Sequence, residues 1–202
     1  LSDALTDLNT TRYAAWTANH SSSNSRPAAL AFDGEVYKGL DARSFTEVDW
    51  TYAKDRLFIL SGLYGLLRPS DRIQPYRLEM GAKLKTTKGK NLYQYWGKQI
   101  TEWLNEFVKE DEVVVNLASK EYLKALQPNV LKGNMHNIQF KDLRKGKYRT
   151  IMVYAKHARG SMARLMVKHK PVGLEELKEL TPDNYVFNAE LSNKTNFVYT
   201  RD

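Results

Sequence analysis

Tyr148-Arg-Thr-Ile-Met-Val-Tyr-Ala-Lys-His-Ala-Arg-Gly-Ser161 is the stretch whose reading sets the fold, because an apolar run passes directly into small and polar residues. Residues 148–154 read as a buried strand, and a helix follows from about Gly160 to Lys168, stopped by Pro171. The same change occurs twice upstream. Residues 56–60 (Arg-Leu-Phe-Ile-Leu) lead into Ser61-Gly62. Residues 113–117 lead into Ala118-Ser119, with a helix predicted over 119–126 before Pro128. Nearly all-apolar strands suit a sheet covered by helices on both faces. The pattern predicts an α/β (mixed α+β) fold, with a mostly buried sheet flanked by helices. In an open sheet of this kind the strand C-termini share an edge, where ligands meet the free amides of helix N-termini. All three junctions are expected to converge there, in a basic cleft.

Outward from these junctions the signals are local. Residues 6–16 suit a helix with Leu8 and Tyr13 inward, and residues 20–27 a polar loop. Leu92, Trp96, Ile100, Trp103, Leu104 and Phe107 recur every three or four residues, predicting one helix over 91–110 with Asn91 as its N-cap. A short helix over 174–180 and a strand over 196–200 complete the reading. No repeat or linker divides the chain, so residues 1–202 are expected to form a single domain.

The 202 residues are 42% apolar and 27% charged, ordinary values for a globular protein. With no cysteine there is no disulfide, thiolate metal site or cysteine nucleophile, and a reducing compartment is the expectation. No apolar run approaches the roughly 20 residues that span a bilayer. The chain starts at Leu1 and not Met, so the true N-terminus is expected to lie upstream. The formal charge of +8 is concentrated. Residues 141–170 hold ten Lys and Arg against the single acid Asp142, a net +9, while the remainder has 21 basic and 22 acidic residues. Such a field gathers polyanions, nucleic acid first among them. A membrane surface fits less well, since no broad aromatic face accompanies the charge.

Lys156 and Arg159 fall at the third junction, beside Gly160, which lets another backbone approach. Two cations next to free amides would hold phosphate. Arg164 and Lys168, four residues apart, would extend that track. Ser119 can bind an anion or simply cap its helix. Gly62 and Gly65 bracket a turn able to bring amides to phosphate, with Arg68 and Arg77 as further cations. Glu79 and Tyr64 are the candidates for acid–base work. For Glu79 an ion pair with Arg77 or Arg68 is the simpler role, because no partner with a separated pKa is evident. The histidines at 20, 136, 157 and 169 lack metal-site spacing, and only His157 sits near the expected site. Neither a metal nor a cofactor is expected.

Several stretches together resemble the YaaA family of peroxide-stress proteins. They are Ser61-Gly-Leu-Tyr-Gly65 with Gln74-Pro-Tyr-Arg-Leu-Glu-Met-Gly81, Phe32-Asp-Gly-Glu-Val-Tyr-Lys-Gly-Leu40, Asn91-Leu-Tyr-Gln-Tyr-Trp-Gly97, Asn116-Leu-Ala-Ser-Lys-Glu-Tyr122 and Tyr154-Ala-Lys-His-Ala-Arg-Gly-Ser-Met-Ala-Arg164. The resemblance runs from about Leu8 to Tyr199. It implies a cytoplasmic protein that limits iron-dependent oxidative damage and binds duplex or structured DNA; contact through phosphates with little base readout, and no membrane partner, are the expectations from the charge pattern. It also implies a helix-hairpin-helix-like element, placed by motif at residues 61–68, and an N-terminal apolar strand with a Ser-Pro-Ala-Lys-Thr stretch that this sequence lacks. The alternative is an enzyme acting on a nucleotide or other phosphorylated small molecule in the same cleft.

Overall fold

The computed structural model describes residues 3–202. Helix α1 (Asp3–Ala14) leads to strand β1 (Arg26–Pro27) and the short helices α2 (Ala28–Ala31) and α3 (Glu35–Leu40). Helix α4 (Glu47–Arg56) precedes strands β2 (Ile59–Ser61), β3 (Gly65–Leu67) and β4 (Arg72–Ile73). Helices α5 (Leu92–Trp96) and α6 (Gln99–Leu104) follow, then strand β5 (Val113–Asn116) and helix α7 (Lys120–Leu123). The last part holds β6 (Asn134–Arg144), β7 (Lys147–Arg149), α8 (Met152–His169), α9 (Leu174–Glu179), β8 (Val186–Phe187) and β9 (Asn196–Arg201). The mixed α/β class read from the sequence is therefore correct. The main sheet has the order β5-β6-β9-β8, parallel across β5, β6 and β9, with β7 folded back antiparallel on the end of β6. The pairs β1–β4 and β2–β3 stand apart from it as antiparallel two-stranded units.

The decisive stretch folds differently from its sequence reading. Of residues 148–154 only Tyr148 and Arg149 lie in a strand. Lys145 (φ 51°) and Gly146 (φ 72°) turn the chain, β7 returns for three residues, and α8 has begun by Met152. Met152, Val153 and Tyr154 are exposed on its first turn. A short apolar run has no periodicity to separate strand from helix. Further along, Ala155, Ala158, Met162, Ala163 and Val167 are buried at helical spacing. The three junctions therefore share no common sheet edge: β2 pairs only with β3, β5 lies in the main sheet, and the third is helical. Strand β6 escaped notice because its inward, period-two set includes the polar residues His136 and Asp142 beside Ile138 and Phe140. The predicted 91–110 helix breaks at Gly97 (φ 53°, ψ −121°), a conformation closed to other residues. Asn91 does cap α5, accepting from the Gln94 amide at 3.0 Å. On α1, Leu8 and Tyr13 face solvent instead of the interior.

Helix α8 ties the molecule together. Its Ala163 and Val167 pack with Leu40, Phe45, Ala53, Ile59 and Ile73. Its Ala155, Ala158 and Met162 pack on the sheet residues Ile138, Phe140, Phe197 and Tyr199. Leu117, after β5, packs against both groups. Against α3 there is no room for a side chain. A Cβ on Gly160 would sit 1.8 Å from the Val36 carbonyl oxygen, and one on Gly39 would sit 2.1 Å from that of His157. The close approach read into Gly160 is this helix crossing.

Candidate functional site

Placing Lys156 and Arg159 within α8 changes what they can reach. Neither flanks a helix N-terminus; both project from its second and third turns. At 3.6 residues per turn, Lys156 and Arg159 point about 60° apart, as do Arg164 and Lys168 within about 40°. Arg159 and Lys168, nine residues apart, point in opposite directions by the same geometry. The four cations thus form two groups and not one track.

The two groups differ in occupancy. Arg164 Nη1 lies 3.7 Å from Asp41 Oδ2, and Lys168 Nζ donates to the Ser44 carbonyl at 3.0 Å. Asp49, at the start of α4, has its carboxyl pKa lowered first by the Thr46 amide and further by Lys168 and Lys170. That end of α8 is committed to α4 and its approach. Lys156 is exposed and makes no ion pair or hydrogen bond among the described residues. It and His157 lie within electrostatic reach of Glu35, whose carboxyl is held down first by its bond from Lys38. Arg159 is half-buried, and its Nε is shielded from solvent without a hydrogen-bond partner. Desolvation pushes its guanidinium pKa down. One helical turn separates Arg159 from Ala155 of the sheet-side core and from Ala163 of the other, which places it on the side of α8 between the two groups.

The remaining sequence candidates have local partners. Arg77 Nη2 donates to Glu79 Oε1 at 3.0 Å, the ion pair anticipated for that carboxylate, and Arg68 Nε lies 3.4 Å from Asp71. Tyr64 Oη accepts from Trp16 Nε1 at 3.0 Å and from the Gln74 amide at 3.3 Å. Ser119 caps α7 through the Tyr122 amide. Residues 61–68 form the β2–β3 hairpin and not a helix-hairpin-helix. The Leu63 and Tyr64 amides, the donors such a turn would offer to phosphate, both go to Ser61 Oγ. Gly62 is pressed on the Leu78 carbonyl and Gly65 on the Trp96 and Trp103 rings.

Two of the junctions each bond the segment 76–81 through side chains. Ser61 Oγ and Tyr76 Oη share a 2.5 Å hydrogen bond, and the Gly81 amide donates to Glu121 Oε1 at 2.8 Å. Burial raises the pKa of Tyr37, Tyr76 and Tyr122; Tyr76 and Tyr122 add to the shift of Tyr37, and Tyr122 adds to that of Tyr76. A second polar group contains His157, the histidine singled out by its position, together with Asp183 and Ser161, which sequence reasoning missed. Asp183, in a left-handed conformation (φ 51°), lies 2.7 Å from His157 Nδ1 and accepts from Ser161 Oγ at 2.6 Å. This ties the middle of α8 to the turn before β8. Among the described residues no three His, Asp or Glu side chains gather as a metal-ligand cluster, and no helix is long and apolar enough to cross a membrane.

Comparison with known proteins adds to this geometry. A family model described as peroxide stress protein YaaA matches residues 1–191. Curated relatives named UPF0246 protein, from Saccharophagus degradans and Ralstonia pickettii, are each 48% identical over 203 residues, covering 100% of this chain and 79% of the relative.

Proposed function

The chain belongs to the peroxide stress protein YaaA family, and on that premise we propose that it is a cytoplasmic protein that holds DNA by its phosphates during peroxide stress and limits iron-dependent damage to it. One observation carries the reading. Asp142, the single acid among residues 141–170, is buried and already taken, accepting from Arg201 at 2.7 Å and from the Tyr185 hydroxyl at 2.7 Å. The cations of that segment therefore have no acid of their own to neutralise them, and Lys156 and Arg159 stand unpaired within it. Phosphates fill that role without base contacts. Arg164, Lys168, Arg77 and Arg68 would join only by exchanging their present partners, which exposed pairs do at little cost.

Titration of a labelled duplex over a range of salt tests this. The observed affinity is expected to fall with a log–log slope of about −0.9 per phosphate contact, and Lys156→Glu to make that slope shallower. A salt-independent affinity overturns the reading. The shielded, unpaired Arg159 favours a second reading, capture of a phosphorylated small molecule. In that case inorganic phosphate or a nucleoside monophosphate displaces the duplex at concentrations too low to act through ionic strength.

A further inference from the structure

The β6–β7 hairpin lies outside every site residue considered above, and it carries five cations without an ion pair among the described residues. Arg144, Lys145, Lys147 and Arg149 are exposed and Lys141 is half-exposed. None makes an ion pair or side-chain hydrogen bond among the described residues. The register sets Arg144 directly opposite Lys147, and Arg149 opposite Asp142. Paired residues on antiparallel strands point to the same face, so Arg144, Lys147 and Arg149 share one. Asp142 gives that face no relief, because it is buried against Arg201 and Tyr185. Like charges directly opposite destabilise a strand pair. The tip adds Lys145 in a left-handed conformation (φ 51°), where Gly or Asn is the usual choice. Both features cost stability, and an anion bound between the opposed cations would offset the first. Its other face is different: Leu143 pairs with Tyr148, whose hydroxyl donates to Asp202 at 2.9 Å.

We propose that this hairpin is a second DNA-contacting element, in which Arg144, Lys145, Lys147 and Arg149 engage phosphates of duplex DNA. The inference rests on the DNA reading above and adds a separate contact surface to it. A two-stranded ribbon fits the B-DNA major groove, about 12 Å wide, with phosphates along both walls. A membrane is the poorer partner, since the charged face carries no apolar side chain to insert.

The test compares the wild-type chain with the triple variant Arg144→Gln, Lys147→Gln, Arg149→Gln. A charge-matched control, Lys54→Gln, Lys85→Gln, Lys132→Gln, removes exposed lysines outside the basic segment. The hairpin variant is expected to lose about 0.9 of salt slope per contact removed, roughly 2–3 in all. Its thermal midpoint stays level or rises, since the 144–147 opposition is gone. Should the triple variant melt early, Lys147→Gln at the tip takes its place with an expected loss of about one contact. Duplex binding by the wild type with equal losses in hairpin and control variants overturns the hairpin alone. Absence of salt-dependent duplex binding by the wild type overturns the DNA reading and the hairpin with it. An equal loss of affinity for a polyglutamate peptide shows that the arm senses charge alone, and overturns duplex DNA as its partner.

Discussion

Arg159 is the residue at which structure and chemistry disagree most. A charge removed from water without a partner lowers stability, and its group shifts toward the neutral form. Burial does push this guanidinium pKa down, and no carboxylate offsets the shift. Arg159→Met keeps the length of the stem and removes the charge. Stability in urea is expected to rise, by about 1 kcal/mol, as when a buried ion gives way to a packed apolar side chain. Duplex affinity is expected to fall in the same variant. A drop in stability would mean that the guanidinium has a partner in the folded protein, and the anion role would lose its basis. The sequence identified Arg159 as a cation near a close-packed glycine. That it lacks a partner follows from the packing around Ala155 and Ala163, which charge counting does not see.

Among elements, the region after Asn91 shows how one position redirects a pattern. The apolar spacing from Leu92 to Phe107 is helical throughout, yet Gly97 divides it into α5 and α6. Gly97→Ala is expected to destabilise the protein by about 1–3 kcal/mol through its positive φ. Space is not the obstacle, since a Cβ there meets only the Gln94 carbonyl, at 4.0 Å. An unchanged urea midpoint would show that the break relaxes. Legibility elsewhere followed the strength of local signals. The strands read at 113–117 and 196–200 were legible from short β-branched and aromatic runs, and the Asn91 and Ser119 caps from capping chemistry. The 148–154 reading failed where a hairpin end and a helix start join into one apolar run. The cations of the site were legible as a total and not as a placement. The turn of α8 sends Arg164 to Asp41 and Lys168 to Ser44, between α3 and α4, and the β6–β7 hairpin carries the cations on either side of the Lys145-Gly146 turn into solvent.

At the scale of the whole molecule, buried tyrosines set the alkaline limit. Tyr37, Tyr76, Tyr185 and Tyr199 are all raised above the ordinary value, burial being the first cause in each. For Tyr185 the bond to Asp142 adds to it. Above a pH of about 10 the unfolded chain releases protons that the folded chain retains. Stability from these groups is therefore complete below that pH and declines as pH rises beyond it. Tyrosinate absorbance and far-ultraviolet dichroism, followed together, are expected to change in one step for these four. Ionisation of all tyrosines with the dichroism intact would contradict their burial.

Strand β6 bonds β5 at its beginning, β9 through its middle and β7 at its end. Eleven residues at about 3.3 Å each make one unbroken span of roughly 36 Å. The projecting arm is thus the free end of a beam clamped along most of its length. In the proposed DNA contact it would arrive already aimed, with little conformational freedom left to surrender on capture.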